Sequence, residues 1–191
     1  MNILVSAGHN SRAQGAQWNG YTEWSETTRW RDMIVQELGE VAIAVPDGGL
    51  REKVEFINAN DPAFAVEIHF NSAIVGGKHV GEGCETLMYP GSYAGRQLAD
   101  ILQRAQYQIF KPSRGVKEGW YRQDRPGIVD YQGDVDGDET IDYFLRKTKC
   151  PAVILEPEFI HNILSQIQPN RRAACMILSS AMLEALDILE K

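Results

Sequence analysis

At 191 residues, with hydrophobic residues at 43% and charged ones at 24%, the chain suits one globular domain with a sizeable core and is too apolar for a disordered segment. A formal net charge of -7 argues against a nucleic-acid binder, which needs a concentrated basic face, and against attachment to anionic cell-wall polymers by bulk charge. The three cysteines, Cys84, Cys150 and Cys175, lack CxxC spacing and imply free thiols rather than a disulfide framework, and no run approaches the ~18 apolar residues of a membrane-spanning helix.

Met1 runs directly into an apolar stretch without a basic leader, so the expectation is synthesis in the cytoplasm without a signal peptide. Ile3-Leu4-Val5, stopped by Ala7-Gly8, reads as a short buried strand of the parallel type. Residues 9–22, rich in Gly, Asn, Ser and Gln, read as a loop. From Glu23 to Leu38 the period becomes helical: Trp30, Ile34 and Leu38 share a face, Thr22 is a suitable N-cap and Gly39 a stop.

Val41 to Val45 reads as a second strand, Leu50 to Asn60 as a helix with Val54 and Ile57 inward, and Phe64 to Phe70 as a third strand carrying His69. Glu85 to Tyr89 reads as a fourth strand, and Ser92 caps a helix running to about Tyr107. Residues 111–149 are irregular and suggest a lid-like insertion at about 122–148. Ala152 to Leu155 is a last buried strand ending in Glu156, and the tail from Asn170 to Leu189 is an amphipathic helix.

Short apolar strands alternating with amphipathic helices imply a single α/β domain over residues 1–191, with a twisted, mostly parallel sheet flanked by helices. Such sheets bind ligands at the carboxyl ends of their strands. His9, His69 and Glu156 all fall at or just past such ends. Two histidines and one carboxylate with an open fourth position form the pattern of a catalytic zinc. The carboxylate is Glu23 or Glu26, one helical turn apart on nearly the same face. A general base beside the metal is Glu156 or Glu158, since a glutamate closing so apolar a strand needs a partner or a task.

Five segments, taken in order, carry a resemblance. They are Ser6-Ala-Gly-His9; Asn19-Gly-Tyr-Thr-Glu23 with its helix; Glu67-Ile-His69-Phe-Asn71, similar to S-[IL]-H-x-N; Gly83-Cys-Glu85-Thr-Leu-Met-Tyr89 with Arg114-Gly-Val-Lys117, similar to G-x-E-x-x-Y and RGVK; and Pro151-Ala-Val-Ile-Leu-Glu156-Pro-Glu-Phe159-Ile160-His-Asn162, similar to PAVLVE-x-GF-[IL]-x-N. Together they resemble the zinc-dependent N-acetylmuramoyl-L-alanine amidases of the Amidase_3 type. Glu158 stands where that pattern has glycine, and residues 122–148 have no counterpart in it.

The resemblance implies one Zn2+ held by His9, Glu23 and His69, with Glu156 as the catalytic carboxylate. It implies peptidoglycan as the partner and the amide between N-acetylmuramic acid and L-alanine as the bond cut. Asn71, Arg114 and Lys117 become candidate substrate contacts, since basic groups beside a cleft suit an acidic stem peptide. The expected setting is a phage or prophage lysin made in the cytoplasm and released to the cell wall by a holin, with a cytoplasmic recycling amidase as the alternative.

Rival readings are a non-catalytic wall-binding or phage structural subunit and a zinc carboxypeptidase. Asp134-Val-Asp136-Gly-Asp138-Glu139 is oxygen-rich, but its glycine comes one step early for a calcium loop, and a solvated acidic turn is the expectation. Trp120, Tyr121, Tyr131 and Tyr143 are expected in lid or core packing, and His161 in local packing or substrate contact.

Overall fold

The first apolar run forms β1 (Ile3–Ala7), and its alternation sends Ile3 and Val5 to one side of a sheet and Leu4 to the other. This computed structural model describes residues 2–118 and 142–189. After β1 come a small hairpin, β2 (Gln17–Trp18) and β3 (Tyr21–Thr22), then α1 (Glu23–Leu38), β4 (Ala42–Ala44), α2 (Leu50–Asn60) and β5 (Phe64–Ile68). A second hairpin, β6 (Ile74–Val75) and β7 (Lys78–His79), precedes β8 (Cys84–Met88), α3 (Tyr93–Tyr107) and β9 (Ser113–Glu118). The chain closes with α4 (Tyr143–Lys147), β10 (Ala152–Glu156), a 3-10 turn and a π-helical turn spanning Ile160–Asn162 and Ile163–Ile167, and α5 (Gln168–Leu189).

Six strands form one sheet in the order β4-β1-β5-β10-β8-β9. Helices α1, α3 and α5 cover one face: Trp30, Ile34, Leu98, Leu102, Cys175, Leu178 and Met182 pack there against Val5, Val66, Val153 and Leu155. Helices α2 and α4 cover the other, where Val54, Ile57, Phe144 and Leu145 meet Leu4, Ala65 and Ile154. Burial on both faces explains why β1, β5 and β10 are nearly unbroken apolar runs.

The expected boundaries hold to within two residues. Thr22 caps α1, its hydroxyl accepting from Ser25 N at 3.2 Å, and Gly39 ends the helix at φ 60°. Ser92 caps α3 by accepting from Gly95 N at 3.0 Å. Several features of the fold exceed the sequence reading, the β6–β7 hairpin among them. The loop expected at 9–22 contains the β2–β3 hairpin, and the irregular stretch from 111 begins with β9. Much of the expected insertion at 122–148 lies outside the described residues, as do Trp120, Tyr121, Tyr131 and the 134–139 acidic segment. Its described end is the short helix α4, where Tyr143 packs beside the second core and lies under the Arg146 guanidinium.

Strand direction is what positions the site. β1, β4, β5 and β10 run parallel, whereas β8 pairs antiparallel with β10 and carries β9 parallel to itself. The carboxyl end of β10 therefore lies beside the amino end of β8, with Glu156 opposite Glu85. The edge of the sheet that gathers His9, His69 and Glu156 thus also gains a carboxylate from the start of a reversed strand.

Candidate active site and metal centre

β1 and β5 end side by side, because Gly8 N donates to Ile68 O at 2.7 Å. This fixes the next residues, His9 and His69, as neighbours with ring centroids 5.0 Å apart. A side chain at Gly8 is excluded: a Cβ there would lie 2.6 Å from Ile68 O and 2.7 Å from the His69 ring. His9 itself sits in the left-handed region at φ 63°, a conformation that bulky residues adopt only where their surroundings impose it. Gly15, at φ 71°, passes over the site so closely that a Cβ would lie 2.3 Å from the His9 ring.

Glu23, first residue of α1, reaches between the two rings. Its Oε2 is 3.0 Å from His9 Nε2, and its Oε1 is 3.0 Å from His69 Nδ1. Backbone N–H groups of Ala16 and Phe70 donate to the same carboxylate at 3.1 and 2.9 Å. Burial alone would raise the Glu23 pKa, but hydrogen bonds from His69 and His9 outweigh it and hold the carboxyl well below its usual range. The same contacts, with those of Glu67, lift His69 well above the ordinary histidine value against the effect of burial.

Glu26 is placed quite differently. It is fully buried, accepts from Trp30 Nε1 at 3.1 Å, and takes a two-pronged contact from Arg171 of α5 at 2.6 and 2.9 Å. Glu158 is likewise engaged in structure, accepting from Gly83 N and Phe159 N and from the Asn162 amide.

Glu156 closes β10 next to His69, whose backbone N donates to Leu155 O at 2.8 Å. It is 2% exposed, and its Oε2 has no hydrogen-bond partner among the described residues. Burial pushes its carboxyl well above the usual range, with Glu23 and Glu85 adding to the rise. A buried carboxylate with an unpartnered oxygen, near His69, Glu23 and Glu85, suits a group that exchanges protons.

Asn71, Arg114 and Lys117 converge on Glu85. Asn71 Nδ2 donates at 2.6 Å, Arg114 Nε at 2.9 Å, and Lys117 Nζ also pairs with Glu85. Arg114 additionally lies over the Phe159 ring, 4.9 Å from its centroid. His161 packs near Phe159, His79 and Trp18, joining the two hairpins at the mouth of the site.

Four titratable groups had no role assigned from the sequence. Glu85 is one. Glu67 and Lys53 form a buried ion pair at 3.4 Å under the histidines, and burial with the nearby Glu67 charge pushes Asp142, which caps α4, up to about 7. The available signals were a charge inside each apolar strand and a lysine on the inner face of α2.

His9, Glu23 and His69 each offer a ligand atom, and these lie within 4.8 Å of one another; among the described residues no other such group of histidine, cysteine or carboxylate side chains occurs. Two imidazoles and a carboxylate under a glycine that leaves no room for a side chain fit a divalent cation such as zinc.

Known structures share this fold. The catalytic domain of CwlV, an N-acetylmuramoyl-L-alanine amidase from Bacillus (Paenibacillus) polymyxa var. colistinus, superimposes with a TM-score of 0.74 at 17% identity, covering 98% of this chain and 99% of that one. AmiC2 of Nostoc punctiforme, another such amidase, gives 0.73 at 18% identity, with 97% of each chain covered. The catalytic domain of the CD27L endolysin, which targets Clostridia difficile, gives 0.70 at 17% identity over 96% of this chain and 97% of that one. No curated protein sequence matches. The sequence model of the family described as N-acetylmuramoyl-L-alanine amidase, Amidase_3, matches residues 3–186, and the chain belongs to that family.

Proposed function

We propose that the chain is a zinc-dependent hydrolase of the amide joining N-acetylmuramic acid to L-alanine in peptidoglycan, with His9, Glu23 and His69 as metal ligands. The observation that carries this reading is the placement of Glu23 between two imidazole nitrogens, 3.0 Å from each. Zinc in such a site supplies Lewis-acid polarisation and lowers the pKa of water from about 15.7 toward 7. Glu156 takes the proton of the attacking water and returns it to the departing L-alanine amine. Its burial at the end of β10, with an oxygen unpartnered among the described residues, suits that exchange.

Asn71, Arg114 and Lys117 line the same edge. The side chains of Arg114 and Lys117 are 34% and 44% exposed, so each can meet a stem-peptide carboxylate as well as Glu85. A lytic phage or prophage setting with holin-type release to the wall belongs to this proposal; one structural neighbour is named as the catalytic domain of an endolysin.

Two variants test the division of roles. His69→Ala should lose both zinc and activity. Glu156→Gln should keep zinc, measured by elemental analysis, while amide cleavage falls about 10²- to 10⁴-fold, the range for a lost general acid-base group. Zinc retained in His69→Ala, or full activity in Glu156→Gln, contradicts the assignment.

A further inference from the structure

Beneath the two histidines lies a pair of opposite charges with almost no access to water. The Lys53 and Glu67 side chains are 4% and 0% exposed, with Nζ 3.4 Å from Oε1. Buried ion pairs are at best a weak source of stability, because desolvating two charges offsets their attraction. An apolar pair would fill the same space between α2 and the sheet. The contacts made by these two side chains point elsewhere.

Glu67 lies on β5, and His69 follows two residues later, just past the strand end. The Glu67 Oε2 lies 3.3 Å from His69 Nε2, the ring nitrogen turned away from Glu23. Its Oε1 accepts from Ser6 Oγ at 2.9 Å and from Lys53. Lys53 Nζ also donates to the main-chain carbonyls of Ala7 and His9, on either side of the turn that presents His9. One ammonium therefore spans the ends of both histidine-bearing strands. In the segment that this stretch resembles, S-[IL]-H-x-N, Glu67 occupies the serine position.

We propose that Lys53 and Glu67 are positioning residues for the metal centre: Glu67 accepts the Nε2 proton of His69, which reserves Nδ1 for the metal, while Lys53 locks Glu67 to the backbone around His9. A histidine ligand whose far N–H is held by a carboxylate has a fixed tautomer, a fixed ring plane and a more basic ligand nitrogen. This inference rests on the zinc reading above.

Three measurements test it. In the zinc-loaded parent chain, nitrogen-15 NMR of labelled histidine should show His69 bound through Nδ1 with a proton on Nε2; binding through Nε2 would overturn the proposal. Glu67→Gln keeps the shape and removes the charge. The double variant Lys53→Met, Glu67→Leu removes the pair without stranding either partner, so a folded protein is available even if the single variant is unstable. In folded variants, the zinc dissociation constant from chelator competition should rise about 10- to 100-fold, and the visible spectrum of the cobalt-substituted protein should change. Folded variants that bind zinc as tightly as the parent, with the same cobalt spectrum, would overturn the positioning role alone. A parent that takes up no zinc at all would instead overturn the metal reading on which it rests.

Discussion

Glu23 serves two imidazoles and two backbone donors at once, and that crowding distinguishes it from the other buried carboxylates. Glu85 is its counterpart across the sheet edge, satisfied by Asn71, Arg114 and Lys117 instead of by histidine. Burial alone would raise the Glu85 pKa, but those hydrogen bonds outweigh it and hold the carboxyl below its ordinary value of 4.5. A depressed folded-state pKa means that the unfolded chain binds the proton more readily, so stability rises with pH through this window. The contribution of Glu85 is therefore complete above the unfolded value of 4.5 and lost as pH falls through the lower folded value. Urea melts across the acid range should show a shallower loss of stability for Glu85→Gln than for the parent. An unchanged acid limb would show that the three donors do not depend on the charge.

At the scale of elements, α1 carries both the site and a structural anchor on one face. Glu26, one turn beyond Glu23, fastens α1 to α5 through Arg171 and holds the Trp30 indole. Removing one partner of a buried pair leaves the other poorly solvated, so Glu26→Ala should cost about 3 kcal/mol or more in thermal or denaturant melts. The folded variant should keep its zinc; loss of metal there would contradict Glu23 as the ligand. Spacing in the sequence cannot separate these two glutamates, since helix register places both on nearly the same side. Arg171, 145 residues away, engages Glu26, while Glu23 lies between the two histidines.

Other elements divide in the same way. α1 and α3 were legible to the residue or nearly so, because Thr22, Gly39 and Ser92 act locally on the backbone. β9 was not, since Ser113-Arg-Gly-Val-Lys-Glu118 has neither an apolar run nor strict alternation and is a strand only because β8 offers it an edge. The reversal of β8 and β9 was equally hidden, as strand direction depends on partners rather than on composition. His9, His69 and Glu156 could be read from strand ends. Glu67 and Lys53 could not be joined, because nothing in the sequence says that α2 lies over the middle of β1 and β5.

The whole molecule is an α/β/α layer structure whose sheet edge collects chemistry from β1, β5, β8 and β10 and from the first turn of α1. Among the described residues no helix is long and apolar enough to cross a membrane. The net charge of -7 provides no electrostatic attraction to an anionic wall. In the lytic setting proposed here, deleting the holin gene of the phage or prophage that carries this chain should abolish lysis while the enzyme accumulates. Lysis on schedule without the holin would argue for another role.

As proposed above, a zinc held by His9, Glu23 and His69 enables cleavage of the muramoyl amide. The most direct measurement is the count of new L-alanine amino termini released from purified peptidoglycan at neutral pH, before chelation, after it, and after zinc is restored. Termini should appear without new reducing sugars, stop appearing when zinc is stripped, and return when zinc is added back. Termini that form undiminished in the stripped protein, or none in the zinc-loaded one, would contradict the proposal.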